Sequence, residues 1–384
     1  GAEAISTVRT LLENGQSPDW SEAVGGQLED RGYGMDWASE EWSIKHGGRR
    51  PIEGYALAEN ARRARLGLSL DEYRLKIGEL FAPFTAVAAQ NPHAAAPVQR
   101  SAEELATVTP RNRIISEPYT RMTVSRDQVN QAAAIIVASA GLARELGVPE
   151  NKWVHIHAVT AATELKLSQR PDLAGNPASL ASVDAALSRA GKGMADMAYI
   201  DFYSCFAIPV FNQCDHFGLT ADDPRGLTLT GGLPFFGGAG NNYSMHGLAS
   251  MVRALRAKPG AMGLVAANGG FLSKYSVGVY STKPKAWAPF SSKALQAQID
   301  AWPAPVLAEQ ASGEVSMESY TIDYSGPVPR AVVVARTAKG ARVAAMTDNG
   351  DIVGAMIAGE PLGSVLTLGQ DDKGRNMIVG FRAG

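Results

Sequence analysis

The sequence predicts an α/β layered domain followed by a small β-rich domain. Three observations carry this. Between residues 197 and 281, apolar strand-like runs alternate with a glycine-rich loop and an amphipathic helix, in the order strand, loop, helix, strand, turn, strand. After Pro305 the pattern changes to short alternating or β-branched runs punctuated by Lys339-Gly340, Asn349-Gly350, Gly359 and Lys373-Gly374, the signature of a small barrel. The 384 residues, 45% of them hydrophobic and 19% charged, suffice for two or three domains with cores of their own.

Taken in order, Ile5, Val8, Leu11 and Leu12 recur at helical spacing until Asn14-Gly15. Residues 16–60 read as irregular and aromatic-rich, with Trp20, Tyr33, Trp37 and Trp42, and 55–80 as two helical pieces. Asn91-Pro92 and Thr109-Pro110 break any regular element. The run VNQAAAIIVASAGLAREL at 129–146 predicts one helix with a small apolar face, stopped by Gly147 and Pro149. Residues 153–157 alternate as a strand, 179–190 read as a helix, and 201–206 as a buried strand running into a helix. Strand-like 227–230 meets the glycine loop 231–240, and 244–256 is helical. Strands at 262–266 and 277–281 flank Asn268-Gly269-Gly270. A linker near 300–312 leads to strands expected at 314–324, 330–338, 341–347, 351–357, 363–368 and 376–382.

The net charge of −2 gives no electrostatic case for nucleic acid or an anionic membrane as partner. No apolar run approaches the roughly 20 residues of a membrane helix, and the amino terminus lacks a basic-then-apolar leader. Two cysteines, Cys205 and Cys214, do not make a disulfide scaffold, so a reducing cytoplasm is expected.

The densest signal for chemistry is the stretch from Thr230 to Gly247, TGGLPFFGGAGNNYSMHG. A glycine-rich loop between strand and helix lets backbone N–H groups meet negative or developing charge, although tight turns alone require some glycines. His246, near the start of the following helix, is a candidate acid or base, or a packed core residue. Cys205 sits in an apolar context that favours a buried thiol over a nucleophile. Cys214-Asp215-His216 are adjacent, His155 and His157 share one strand face, and neither group has a partner at zinc-site spacing, so no metal is expected. Asn268-Gly269-Gly270 is a tight turn or a backbone donor pair.

In their order and spacing, helix 129–146, Tyr203-Ser204-Cys205-Phe206, the loop and helix at 227–247, and AANGGFLSKYSVGVYST at 266–282 resemble the carboxyl-terminal half of thiolases. The resemblance is closest to the sterol-carrier-type thiolases and the thiolase-like protein type 1 group, often labelled acetyl-CoA acetyltransferase, which carries an additional carboxyl-terminal domain. It implies a thiolase-like αβαβα layered fold with an incomplete first half (1–15 and 121–175). A loop domain (16–120), the second half (176–300) and an added small β-barrel, OB-like, at 306–384 complete the plan. About the leading hundred residues of the family plan, with its acyl-accepting cysteine, have no counterpart here. A bare sheet edge is therefore expected, with the missing segment or another subunit as partner and the oligomeric state open.

The resemblance also locates the expected site. The family's Asn-Glu-Ala-Phe or His-Asp-Cys-Phe motif corresponds to Tyr203-Ser204-Cys205-Phe206, Gly-His-Pro to Gly237-Gly238-Ala239, and Cys-x-Gly to Ala267-Asn268-Gly269. Tyr243 and His246 are the nearest substitutes for the lost histidine. Asn241 and Asn242 join Tyr203 as catalytic candidates, and Gly237, Gly238, Asn268, Gly269 and Gly270 as oxyanion donors. The expected activity is acyl transfer of the acetyl-CoA acetyltransferase type in lipid or sterol metabolism. Alternatives are retro-aldol C–C cleavage by Tyr203 and Tyr243, or acyl-CoA or lipid binding without chemistry. Coenzyme A enters as part of the substrate, with no covalent cofactor; Arg49, Arg62 and Arg121 are candidates for its phosphates, beside Arg50 and Arg63.

Overall fold

The computed structural model describes residues 1–20, 25–26, 40–286 and 288–384; Tyr33 and Trp37 lie outside them. The chain opens with β1 (Ala2–Ala4) and α1 (Ile5–Glu13). Next come α2 (Glu41–Lys45), α3 (Pro51–Leu66), α4 (Leu70–Gln90) and α5 (Ala102–Ala106). Local chemistry sets the long helices. Pro51 occupies the first turn of α3 and Gly67 closes it at φ 65°. At the start of α4, Glu72 N–H donates to Ser69 Oγ at 3.3 Å while Ser69 N–H donates to the Glu72 carboxylate at 2.8 Å, a reciprocal cap. Ile77, Leu80, Phe81 and Phe84 of α4 are buried, each contributing about 1.5–3 kcal/mol.

Short strands β2 (Ile114–Ser116), β3 (Tyr119–Thr120) and β4 (Asn130–Ala132) precede α6 (Ala140–Glu145). The single helix expected over 129–146 is therefore corrected. Residues 130–132 pair antiparallel with β1, and only 140–145 are helical. The small apolar run reads equally well with a period of two, and strand pairing with β1 decides. Beyond that pairing Ile136 and Val137 stand 94% and 77% exposed. Neither α1 nor α6 buries a residue. Leu12 on α1 and Leu142 on α6 are among the exposed apolar side chains.

The central sheet comprises β5 (His155–Thr163), β6 (Met197–Phe202), β7 (Met262–Gly269) and β8 (Lys274–Ser281), in the order β5-β8-β7-β6. β6 and β7 are parallel; β8 pairs antiparallel with β7 and β5. Helices α7 (Pro177–Ala190), α8 (Ala207–Phe217), α9 (Tyr243–Ala257) and α10 (Lys293–Asp300) accompany it. Residues 227–230 are not a strand. Leu229 N–H and Thr228 Oγ1 donate instead to the buried Asp201 carboxylate, at 2.7 and 3.2 Å, so a side chain replaces the ladder.

The C-terminal region closes on itself: β9 (Gly313–Asp323), β10 (Arg330–Thr337), β11 (Arg342–Thr347), β12 (Val365–Gln370) and β13 (Asn376–Arg382) form a five-stranded barrel, shut by β10 pairing with both β9 and β11. The strand expected at 351–357 is instead α11 (Gly350–Ala358). Asn349 Oδ1 accepts from the N–H groups of Asp351 and Ile352, and Val353 and Met356, three apart, turn inward. Asn349-Gly350 is thus a helix start, not a hairpin turn.

The barrel sits firmly on α3. Ser319 Oγ donates to Leu57 O at 2.6 Å and Asn60 Nδ2 to Tyr320 O at 2.9 Å. The buried Arg63 guanidinium reaches the Glu360 carboxylate at 2.5 and 2.9 Å. No helix among the described residues is long and apolar enough to cross a membrane.

Candidate functional site

Three backbone edges meet at the carboxyl ends of β6 and β7: the corner after β6 carrying Tyr203 to Phe206, the glycine loop 231–242, and the β7–β8 hairpin with Asn268. Direct contacts interlock them. Leu233 N–H donates to Ser204 Oγ at 3.2 Å, and Asn268 Nδ2 lies 3.9 Å from Cys205 Sγ. Segment 124–127 is stitched to the loop, with Arg126 N–H donating to Leu233 O and Gly238 N–H to Arg126 O. The edges enclose one open cavity of about 720 Å³, walled further by the start of α3 and by Ile5.

At its floor lie Cys205, Tyr55, Phe206 and Asn268. Asn268 Nδ2 donates to Tyr55 Oη at 2.9 Å, and Tyr55 Oη donates to Gly270 O at 3.3 Å. Burial pushes the Cys205 thiol up to about 12, so it is protonated at neutral pH. Burial likewise raises Tyr203, whose ring meets Tyr243 edge-on at 5.5 Å between centroids. Asn268 Oδ1 is buried without a hydrogen-bond partner among the described residues. At the mouth stand Arg50, held by Glu53 and by Asp323 of the barrel at 2.7 Å, and Lys274. The lining contains no imidazole among the described residues, and its one carboxylate is the exposed Asp127.

The expected site residues divide accordingly. Tyr203, Asn241, Gly238, Asn268, Gly269 and Gly270 line the cavity. The Gly238 N–H, however, is taken by Arg126 O at 2.8 Å and is not presented as a donor. Tyr243 is buried away from the lining, its hydroxyl 2.7 Å from Thr230 Oγ1 and donating to Asp201 Oδ1 at 3.3 Å. Asp201, raised by burial to about 6, thereby gathers Thr228, Leu229 and Tyr243 and fixes the loop's root. Asn242 Nδ2 donates to His246 Nε2 at 2.8 Å and to Gln131 O at 3.0 Å. Both residues lie outside the lining; the helical register places His246 against Phe236, and burial lowers its pKa. Gly237 packs over the Gln131 side chain, also outside the lining.

None of Arg49, Arg62 and Arg121 reaches the cavity lining. Arg49 and Arg121 are exposed. Arg62 is a buried structural cation, bidentate to Asp215 at 2.8 Å and 4.1 Å above the Phe211 ring, and Arg63 is buried too. Cys214, Asp215 and His216 fan apart: the thiol is buried, Asp215 pairs with Arg62, and His216 with Asp184 at 2.9 Å. His157 Nε2 lies 2.9 Å from Lys283 O, and His155 meets Trp153 edge-on.

Tyr55 is a lining residue that sequence reasoning passed over, and Arg50, named from sequence only as a candidate for the coenzyme's phosphates, lines the cavity beside it. They come from a helix whose motif lies far from the glycine loop, and only the tertiary fold brings them in.

Residues 294–373 match the family model described as the thiolase-like protein type 1 additional C-terminal domain. The chain superposes on a monomeric SCP2-thiolase like protein type 1 from Mycobacterium smegmatis with a TM-score of 0.85 and 49% identity, covering 89% of this chain and 75% of that one. More remote matches are the dimeric peroxisomal thiolase of Saccharomyces cerevisiae (TM-score 0.47, 15% identity, 74% and 68% of the two chains) and human mitochondrial 3-ketoacyl-CoA thiolase (0.45, 16%, 73% and 70%). No curated protein sequence matches the chain. With its barrel and its layered domain both accounted for, the chain belongs to the SCP2-thiolase-like protein type 1 family of the thiolase superfamily.

Proposed function

We propose that the cavity binds an acyl-CoA thioester and polarises its carbonyl with uncharged donors, and that the chain's own residues bind without turning over. The observation that carries this is the lining: the Asn268 amide, the Tyr55 and Tyr203 phenols and a protonated Cys205 thiol share one cavity, with no imidazole in its lining among the described residues. Arg50 and Lys274 at the mouth suit the coenzyme's diphosphate better than Arg49, Arg62 and Arg121. The buried thiols fit a reducing cytoplasm.

Thiolase-type acyl transfer is the second reading, favoured by the place of Cys205 on the cavity floor. Transfer needs a thiolate and a base to make it. A thiol held near 12 supplies neither, so transfer requires groups from outside the described lining. The exposed flank of α1 adjoins the cavity through Ile5. A polypeptide covering that flank, whether further chain or another subunit, would also wall the site. Tyrosine-based retro-aldol cleavage is less supported, because burial raises Tyr203 away from the range of a base and Tyr243 is outside the lining.

Calorimetry with acetyl-CoA and with coenzyme A, alongside turnover assays on acetoacetyl-CoA and a β-hydroxyacyl-CoA, tests the reading. It predicts saturable binding favouring the thioester and no turnover. Turnover of acetoacetyl-CoA establishes acyl transfer instead; absence of binding overturns both.

A further inference from the structure

The C-terminal barrel reaches the cavity through two buried arginines in series. We propose that Arg342 and Arg170 are positioning residues that set the 268–272 turn of the cavity wall. The barrel then serves the site as a brace.

Arg342, on β11, is fully buried. Its Nε and Nη2 grip the Glu318 carboxylate of β9 at 3.0 and 2.5 Å. Its Nη1 leaves the barrel and donates to Ser168 O at 2.9 Å and Arg170 O at 2.5 Å. A planar guanidinium that holds a carboxylate and two carbonyls at once fixes their relative positions.

Arg170, 1% exposed, carries the constraint onward. Its Nε donates to Leu165 O at 3.0 Å, and its Nη2 to Phe271 O and Leu272 O at 2.7 and 2.8 Å. Leu272 is the one non-glycine residue with positive φ among the described residues, at 54°. A branched side chain in that conformation persists where its surroundings over-determine it. Here Arg170 and Tyr275, whose hydroxyl donates to Leu272 O at 2.6 Å, do so.

The turn's other end is Gly270 O, which accepts from Tyr55 Oη, the same atom that accepts from Asn268 Nδ2. Leu57, Leu167 and Leu173 packed on Val332 and Val334 of β10 keep this seam apolar. The barrel also grips α3 at Leu57 O and through Asn60, on the helix that carries Tyr55. Both walls of the Asn268 amide are thus referenced to the barrel.

Arg336 supplies a matched control. It bonds the same Glu318 at 2.7 and 3.2 Å, but its remaining donor ends inside the barrel on Gly340 O. The test measures iodoacetamide modification of Cys205 in the full chain, read by peptide mass spectrometry, with thermal melting alongside. The expected result is a rise of about tenfold in Arg342→Met, equivalent to about 1.4 kcal/mol and near the low end for a charge-assisted hydrogen bond. Arg336→Met stays within about twofold of wild type.

Arg342→Lys keeps the charge beside Glu318 and loses the span to the two carbonyls, so it gives the same rise if Arg342→Met fails to fold. Unchanged Cys205 modification in Arg342→Lys, or an equal rise in Arg336→Met, overturns the brace. The accompanying loss of thioester affinity in Arg342→Lys rests on the proposed ligand. A wild-type chain that binds no thioester would remove that consequence alone, while the modification rates would still decide the brace.

Discussion

Gly231 is where the glycine loop crosses α4, and replacing it measures how tightly the loop's path is set. Its φ is +109°, and a Cβ there would sit 2.5 Å from Ala88 Cβ, 2.7 Å from Ala88 Cα and 2.8 Å from Ala88 N. Two costs follow for Gly231→Ala. The left-handed backbone adds about 1–2 kcal/mol, and overpacking against a helix backbone about 1–3 kcal/mol. Together they come to about 2–5 kcal/mol.

Gly340, in the turn between β10 and β11, separates the two costs. Its φ is +80° with nothing within 4 Å of the added carbon. Gly340→Ala therefore carries the backbone cost alone, about 1–2 kcal/mol. Urea unfolding of both variants against wild type is the assay, with Gly231→Ala expected to lose at least about 1 kcal/mol more. Ala88→Gly should not rescue it, because the helix Cα and N remain within contact. Equal losses for the two glycines, or full rescue by Ala88→Gly, would refute the crossing geometry.

Asp201 predicts a pH dependence. Burial raises its folded pKa to about 6, so its contribution to stability is full below the unfolded value near 4 and is lost as pH climbs through about 6, a change of about 3 kcal/mol. Urea unfolding from pH 4 to 7 should show that component as a difference between wild type and Asp201→Asn; Glu59, raised by burial to about 7, and Glu53, Glu117 and Glu164, also raised by burial, act in the same direction, while His46, His157 and His246, lowered by burial, act against it. Arg62→Ala should cost about 1–3 kcal/mol of stability, discounted for the half-exposed Asp215, yet leave thioester affinity unchanged in calorimetry. A selective loss of affinity would return Arg62 to the ligand. In wild type, Cys205 should react with iodoacetamide at pH 7.5 at least about a hundredfold more slowly than a free cysteine; a fast reaction would show an ionised thiol.

Residues whose local pattern decides their structure were legible from sequence. The period of Ile5, Val8 and Leu12 gave a helix, and the turn glycines at 340 and 374 delimited barrel strands. The three stretches framing the cavity were recognisable because their order and spacing are unusual together. Misreadings arose where two local patterns tie. Small apolar residues at 130–138 satisfy helix and strand alike, and pairing with β1 breaks the tie. Asn349-Gly350 opens a hairpin or caps a helix, and the inward Val353 and Met356 decide.

Side-chain direction was the other gap. Tyr243 and His246 lie near the loop in sequence, but Asp201 draws the phenol inward and the helix turns the imidazole toward Phe236. Tyr55 and Arg170 enter through contacts more than 100 residues away in sequence, which no local pattern encodes.

The most direct measurement is the carbon-13 shift of carbonyl-labelled acetyl-CoA bound to the full chain, compared with Asn268→Ala. A thioester carbonyl held by the Asn268 amide and the surrounding phenols should move downfield from its free position, and the displacement should shrink in the variant. A bound carbonyl resonating where the free one does, in wild type as in Asn268→Ala, would contradict the site.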